Sequence, residues 1–463
     1  MTITSKRATW MMMGGWAIAA ALALDPRALH AQDNDDHYRF AAGAGEESSV
    51  ELQAVAGGVD FHFSNPKGAS WDTVLLGVRV RADKVEPAVD ISVGATQITQ
   101  YLDPGAHGLR WLNLSSLRPA LKEGAVVALR GHGVAIELGA TLLRTFSNHL
   151  EGGDRSLLIL APHPDDAEIA AFGVYSGHSR NTTIVTVTSG NAGDANYQDA
   201  FGQDAATQYQ WKGYLRAVDS VTVPWQGGVP PDHCFNLGYF DARLAEMHAK
   251  PSEAIAEMYG PNRDVAVYRR ANLGTLLPKG SRTNSWVHLV EDLVSVFRKV
   301  KPAVIVMPHP GLDTHLDHRF VAVAAVEALA RWKQPVTFLL YTNHSGGNLY
   351  PFGPAGSVVS LPPWDGAEMP VQRVFSLPLG PELQRRKLFA LETMHDLRLS
   401  PREQSICAFG PRPGIPQRPD YPRTPSFDYF RRGPRSEETF FVYDQKAVRE
   451  LVDAVIAPPK ASP

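Results

Sequence analysis

A chain of 463 residues with 44% apolar and 20% charged residues has the composition of an ordinary soluble globular protein, long enough for two domains behind a short leader. A formal net charge of −3 leaves no basic surplus to neutralise phosphates, which excludes a general nucleic-acid binder and favours neutral or modestly polar substrates. The two cysteines, Cys234 and Cys407, are too few for a disulfide framework, and Cys234 beside His233 lacks the second pair a Cys/His metal site needs. Two buried or singly bridged thiols are expected.

Lys6 and Arg7 precede an apolar stretch from Trp10 to Leu24, and a small-residue cleavage site follows at Ala31. This is the layout of a secretory signal peptide cleaved near Ala31. The stretch is short for a bilayer span and is interrupted by Gly14 and Gly15. The expectation is a secreted or periplasmic protein with no stable membrane span after cleavage. Residues 32–47 read as a polar, acidic linker. From 48 to 150, short β-rich segments alternate with turn signals such as Asp103-Pro104-Gly105 and Gly131-His132-Gly133. That spacing predicts a small β-sandwich-like accessory domain. Its Trp71, Tyr101 and Trp111 are expected in the core rather than on a sugar-stacking face.

The pattern then changes to α/β. Ser156–Ala161 and Thr183–Thr188 read as buried strands with a helix from Glu168 to Ser176 between them, a βαβ unit of a Rossmann-like, mostly parallel sheet with flanking helices. No Gly-x-Gly-x-x-Gly turn follows the first strand, so dinucleotide binding is not expected. A helix from Tyr214 to Val221, a strand over Val221–Trp225 and an insertion over 242–283 with its own helices are predicted next. Asn284 is a candidate cap for a helix whose stripe is Trp286, Leu289, Val290, Leu293 and Phe297. A strand at Ala303–Met307, a helix from Val321 to Trp332 and a strand at Val336–Tyr341 complete a second βα unit. A helix from Pro381, a proline-rich loop over Pro411–Pro425 and a strand at Thr439–Tyr443 close a domain of 151–445, followed by a tail of 446–463.

The chemistry gathers at two strand ends. The first strand ends in His163-Pro164-Asp165-Asp166, and the Ala303–Met307 strand ends in Pro308-His309 through His315-Leu316-Asp317-His318. In an open parallel sheet both ends face one edge, where such folds place their sites. His163 and Asp166 are zinc-ligand types three residues apart, and Asp165 lies where a base is useful. Of His315 and His318, one completes the ligand set and the other faces substrate. His309, nearer the strand, is expected to be structural.

These paired motifs resemble the PIG-L/LmbE family of zinc-dependent de-N-acetylases over roughly Ser156–Tyr443. The resemblance implies one Zn2+ held by His163, Asp166 and His318, although other divalent metals could take the site. It implies Asp165 as general base and His315 as the group that stabilises the oxyanion and helps protonate the leaving amine. Arg216, in Arg216-Ala217-Val218-Asp219, matches the family's substrate-facing arginine, and Asp241 matches its acidic ligand of a sugar hydroxyl. Two departures stand out: Ala167 separates Asp166 from Glu168, and Asp313 occupies the place of a tyrosine that some members use for the oxyanion. Asp313 is expected instead to orient a histidine. The implied function is an exported zinc-dependent hydrolase that removes an N-acetyl group from an amino sugar, oligosaccharide or glycoconjugate, releasing acetate and a free amine. The alternatives are a catalytically silent glycan-binding protein and a metal-dependent amidohydrolase for a non-sugar amide.

Overall fold

The computed structural model describes residues 35–43, 45–64, 70–150, 154–193, 204–277, 280–345, 349–395 and 430–457. The expected signal peptide, Cys407 and the Pro411–Pro425 loop lie outside the described residues.

The first strand, β1 (Tyr38–Phe40), falls within the span expected as linker. Nine strands follow: β2 (Glu46–Val55), β3 (Gly58–His62), β4 (Thr73–Ala82), β5 (Ala88–Val93), β6 (Thr96–Tyr101), β7 (His107–Asn113), β8 (Val126–His132), β9 (Val134–Ile136) and β10 (Gly139–Phe146). They pair in the order β6-β5-β8-β3-β2-β10-β4-β7, with β9 on β4. Strand β2 serves both halves, pairing β10 along its first part and β3 at Gln53–Val55. Val74, Leu76 and Val78 of β4 share one apolar cluster with Val89 and Ile91 of β5, although the two strands lie far apart in the order. The sheet therefore folds over on itself, as in a sandwich. Trp111 is buried in the core shared with the following domain, where its ring meets Phe40 edge-on, and Trp71 packs on Phe63. Trp71 and Trp111 thus pack against different apolar clusters rather than on one glycan-facing surface.

The α/β domain contains β11 (Leu157–Ala161), α1 (Asp166–Gly177), β12 (Thr182–Thr188), α2 (Ala205–Thr222), β13 (Cys234–Tyr239), α3 (Leu244–Ala249), α4 (Ala266–Arg269), α5 (Trp286–Val300), β14 (Val304–Pro308), α6 (Leu316–Trp332) and β15 (Thr337–Tyr341). It is completed by β16 (Met369–Val371), β17 (Arg373–Pro378), α7 (Pro381–Thr393), β18 (Glu437–Asp444) and α8 (Gln445–Ile456). The sheet order is β13-β12-β11-β14-β15-β18-β17. The first five strands are parallel, and β18 runs antiparallel to both its neighbours. Every residue of β11 and β14 is buried, which is why both read as unbroken apolar runs.

Three local expectations are corrected. No strand forms over Val221–Trp225: α2 runs on to Thr222, burying Val221, and a 3-10 turn at Val223–Gly227 carries Pro224. Asn284 does not cap α5. Ser285 holds that position, while the Asn284 side chain accepts from Phe240 N (3.2 Å) and donates to Ile255 O (2.9 Å), tying the insertion to the sheet. Residues 446–456 of the expected tail are helix. Asp444 Oδ1 accepts from Ala447 N at 2.9 Å, and Val448, Leu451 and Val452 are buried at helical spacing.

The two domains are joined as well as adjacent. β1 pairs with β16 in parallel, Asn148 Nδ2 donates to Val374 O (2.9 Å), and Ser376 N donates to Thr73 Oγ1 (2.9 Å). Leu75, Trp111 and Phe146 extend the apolar core of the α/β domain into the β-domain.

Candidate metal and catalytic site

The sheet order reverses direction between β11 and β14: the chain builds outward from β11 through β12 and β13, then returns to the other side of β11 with β14 and β15. Crevices at such switch points, outside the carboxyl ends of the strands, are where open α/β sheets bind ligands. β11 pairs β14 directly, so His163–Asp166 and His309–His318 leave neighbouring strand ends. One hundred and fifty residues of separation in sequence become one crevice.

Three acceptor atoms converge there. His318 Nε2 lies 3.2 Å from His163 Nδ1 and 3.1 Å from Asp166 Oδ2, and His163 Nδ1 lies 3.3 Å from the same Asp166 oxygen. A tetrahedral zinc with bonds of about 2.0–2.1 Å places its ligands about 3.3–3.4 Å apart, so this spacing and this N/N/O donor set fit such an ion. All three side chains are buried. Burial works against charge on His163, but the carboxylates of Asp241, Asp166 and Asp317 outweigh it and hold the imidazole well above its ordinary range. His318, opposed by burial but raised by Asp166 and Asp313, is lifted to about 9. Burial would raise Asp166, yet His318 and His163 keep it well below the usual carboxylate range. A negative field that draws protons onto both rings also favours a cation between them.

The outward nitrogens are fixed by carboxylates, an arrangement typical of metal-bound histidines. His318 Nδ1 faces Asp313 Oδ2 at 3.0 Å. His163 Nε2 faces Asp241 Oδ1 at 3.1 Å and Asp317 Oδ2 at 3.4 Å. Asp317 also accepts from Ala242 N (2.7 Å) and Leu244 N (3.3 Å), fastening the loop after β13 to the site. Asn343 Nδ2 donates to Asp166 Oδ1 at 2.8 Å. Asp241, expected to meet a sugar hydroxyl, stands behind His163, and its second oxygen accepts from Ala192 N at 3.1 Å.

Asp165 sits beside the trio in the left-handed region, with φ 147° and ψ −30°. Non-glycine residues held there carry strain of the kind that clusters at functional sites. Arg216 Nη2 donates to Asp165 Oδ2 at 2.8 Å and to Pro164 O at 3.1 Å, while Nη1 donates to Gly190 O at 3.2 Å. Gly190, at φ 64°, permits this approach, because a Cβ there would lie 2.7 Å from the guanidinium carbon. Arg216, expected to face substrate, thus grips the carboxylate expected to be the base.

His315 caps α6: its Nδ1 accepts from Asp317 N at 3.2 Å, which assigns the ring proton of the neutral form to Nε2. Burial, with His163, His318 and His344 nearby, pushes its pKa down to about 2. A neutral ring with Nε2–H can donate a hydrogen bond but has no second proton to give. His309 is structural, as expected: Nδ1 accepts from Gly311 N and Leu312 N, both at 3.1 Å, and the ring packs on Phe441 and Tyr443. Cys234 is buried, with no disulfide partner among the described residues, and its Sγ lies 3.6 Å from Pro230 O. Glu168, raised to about 8 by burial, accepts from the Tyr175 hydroxyl at 3.1 Å.

Sequence reasoning missed Asn343 and His344, which follow β15. The only signal was a polar Asn-His pair after a third buried strand.

A family model described as PIG-L, GlcNAc-PI de-N-acetylase, matches residues 158–329. The 1D-myo-inositol 2-acetamido-2-deoxy-alpha-D-glucopyranoside deacetylase of Rhodococcus erythropolis is 26% identical over 208 residues, 42% of this chain and 63% of that protein. The match thus spans somewhat less than two thirds of this curated relative. Among solved structures, the N,N'-diacetylchitobiose deacetylase from Pyrococcus horikoshii aligns with a TM-score of 0.30 at 16% identity, over 51% of this chain and 68% of that one. GalB, the 4-carboxy-2-hydroxymuconate hydratase of Pseudomonas putida, aligns with a TM-score of 0.31 at 11% identity, over 67% of this chain and 99% of that one.

Proposed function

We propose that this protein is an exported, zinc-dependent N-deacetylase acting on an N-acetylated amino sugar or glycoconjugate, a reading supported by the match of residues 158–329 to the PIG-L family model. The observation that carries this reading is the convergence of His163 Nδ1, Asp166 Oδ2 and His318 Nε2, 3.1–3.3 Å apart, beside a carboxylate that is not part of the trio.

When bound at this trio, zinc supplies polarisation of the acyl carbonyl and acidifies water. Asp165 takes the proton of the attacking water as the new C–O bond forms, with Arg216 fixing the carboxylate's orientation. His315 donates Nε2–H to the developing oxyanion. The C–N bond then breaks, and the proton taken up by Asp165 passes to the leaving amine, beside which His315 stands. Acetate and a free amine are the products. Asp241, Asp317 and Asp313 hold the two ligand imidazoles, so the resting geometry needs little rearrangement.

The test is acetate release by the zinc-loaded protein from N-acetylhexosamine monomers and oligomers, with chelation abolishing turnover and zinc restoring it. Cleavage of N-acyl amino acids with no cleavage of sugars would overturn the amino-sugar reading. Export is tested separately by sequencing the N-terminus of the mature protein, expected near Gln32.

A further inference from the structure

The third strand end of this edge carries a histidine that lies beyond the residues matched by the family model, which end at 329. β15 stops at Tyr341, and the chain turns so that His344 comes back over the metal trio. Asp313 builds that turn: one of its oxygens, Oδ2, accepts from His318 Nδ1 (3.0 Å), Asn343 N (2.9 Å) and His344 N (3.2 Å). A single buried carboxylate therefore sets a metal-ligand ring and the backbone of His344 together. The carbonyl of His344 is held from the other strand end, accepting from Thr314 N (2.8 Å) and Thr314 Oγ1 (3.1 Å). The neighbouring Asn343 is locked to Asp166.

The ring that results is close to the reacting centre. Its centroid lies 4.8 Å from that of His318 and 5.4 Å from that of His315. One of its nitrogens lies within 4.8 Å of ligand atoms of Asp166 and His318. The trio already supplies three protein ligands, and a catalytic zinc keeps its fourth position for water and substrate. His163, Asp166 and His318 are buried, whereas His344, like His315, is only partly so. It lies on the less buried side of the trio, next to His315.

We propose that His344 is a further catalytic residue, whose imidazole donates a second hydrogen bond to the acyl oxygen as charge develops there, next to the one from His315. This rests on the deacetylase reading above. The role suits a preorganised donor, since Asp313 and Thr314 fix the backbone before substrate arrives.

The experiment uses the full zinc-loaded chain and its His344→Ala and His344→Gln variants. For each, kcat and KM for acetate release are measured, zinc affinity is measured by chelator competition, and binding of a tetrahedral methylphosphonamidate analogue of the acetylated sugar and of the free-amine product is followed by calorimetry. Loss of one such donor is expected to lower kcat by about 100-fold in His344→Ala. The analogue should weaken comparably, while KM, product binding and zinc affinity stay within threefold. His344→Gln, which keeps an N–H, should recover part of both losses. Wild-type-like kcat and analogue affinity in His344→Ala would overturn the proposal. So would a tenfold or larger loss of zinc affinity, which would make His344 a ligand. An inert wild type that still binds zinc would instead bring down the deacetylase reading itself, and this inference with it.

Discussion

Two clusters of buried polar side chains lie in this fold, one at the sheet's carboxyl edge and one in the seam between the domains, and they are built on opposite rules. In the seam, donors meet acceptors. Asn113 Nδ2 donates to Ser376 Oγ (3.0 Å) and Glu437 Oε1 (3.3 Å), and Asn113 Oδ1 accepts from Ser115 N (3.1 Å) and Ser115 Oγ (2.6 Å). Glu437 also accepts from Val359 N (3.1 Å), Ser436 Oγ (3.2 Å) and Ser116 Oγ. At the carboxyl edge, three acceptors meet one another: two imidazole nitrogens and a carboxylate oxygen share one point. Only protons or a cation reconcile them. Burial of polar groups alone does not mark a functional site; mismatch among the buried groups does.

The contrast is sharpest at a carboxylate that belongs to the site but not to the trio. Asp165→Asn keeps the size of the side chain and an acceptor for Arg216 but removes the capacity to hold a proton. Acetate release should fall about 1,000-fold, with zinc content unchanged by elemental analysis. Turnover that survived this substitution would remove Asp165 as the base, leaving it as one more structural acceptor of the kind found in the seam.

The seam makes the reverse prediction, on stability rather than activity. Burial raises Glu437 from its ordinary 4.5 to about 7, despite hydrogen bonds from Ser116, Val359 and Ser436 that favour the anion. The folded chain therefore prefers the protonated acid. That preference contributes its full stabilisation below about pH 4.5 and is lost as pH rises through about 7, a difference of up to ~3 kcal/mol. Glu437→Gln is neutral at every pH. In urea unfolding it should be more stable than the parent at pH 8 by up to that amount, with the gap closing toward pH 4.5. Acetate release should be unaffected. A less stable variant at pH 8 would mean that the anion's hydrogen bonds outweigh its burial.

How far the sequence was readable follows the same divide. β11 and β14 were legible because strands buried on both faces are continuous apolar runs, and their motifs were legible because ligand and base lie within a few residues. Arg216 and Asp241 were singled out for contacts with substrate, whereas the partners the structure gives them are Asp165 and His163. Arg216 lies three turns into α2, 51 residues beyond Asp165 and past an intervening strand, so nothing local shows that it grips Asp165. No other His, Cys, Asp or Glu stands within a few residues of His344 in the sequence, and its backbone is held by Asp313, 31 residues away. α8 falls in the span expected as a tail, although Val448, Leu451 and Val452 carry helical spacing. The seam was invisible: Asn113 and Glu437 are ordinary polar residues until two domains are brought together.

Asp313 is where the two kinds of cluster overlap, and it gives the smallest of these effects. Its oxygens accept from His318 Nδ1, two backbone amides after β15 and His315 N (3.1 Å), so locally it is as well matched as any seam residue. Its distinction is that one of its partners is a metal ligand. Asp313→Asn puts an N–H2 where an acceptor stood, so one of those donors must turn away. If His318 owes its orientation to this bond, zinc affinity measured by chelator competition should weaken by about 10–100-fold, while the folded chain persists. If affinity is unchanged, packing alone holds the ring, and Asp313 belongs with Glu437 as a structural acceptor. The same variant should loosen His344 through its backbone amide. Its kcat at saturating zinc should then fall below the parent's even when the metal is fully restored, a residue of the defect that His318 alone would not leave.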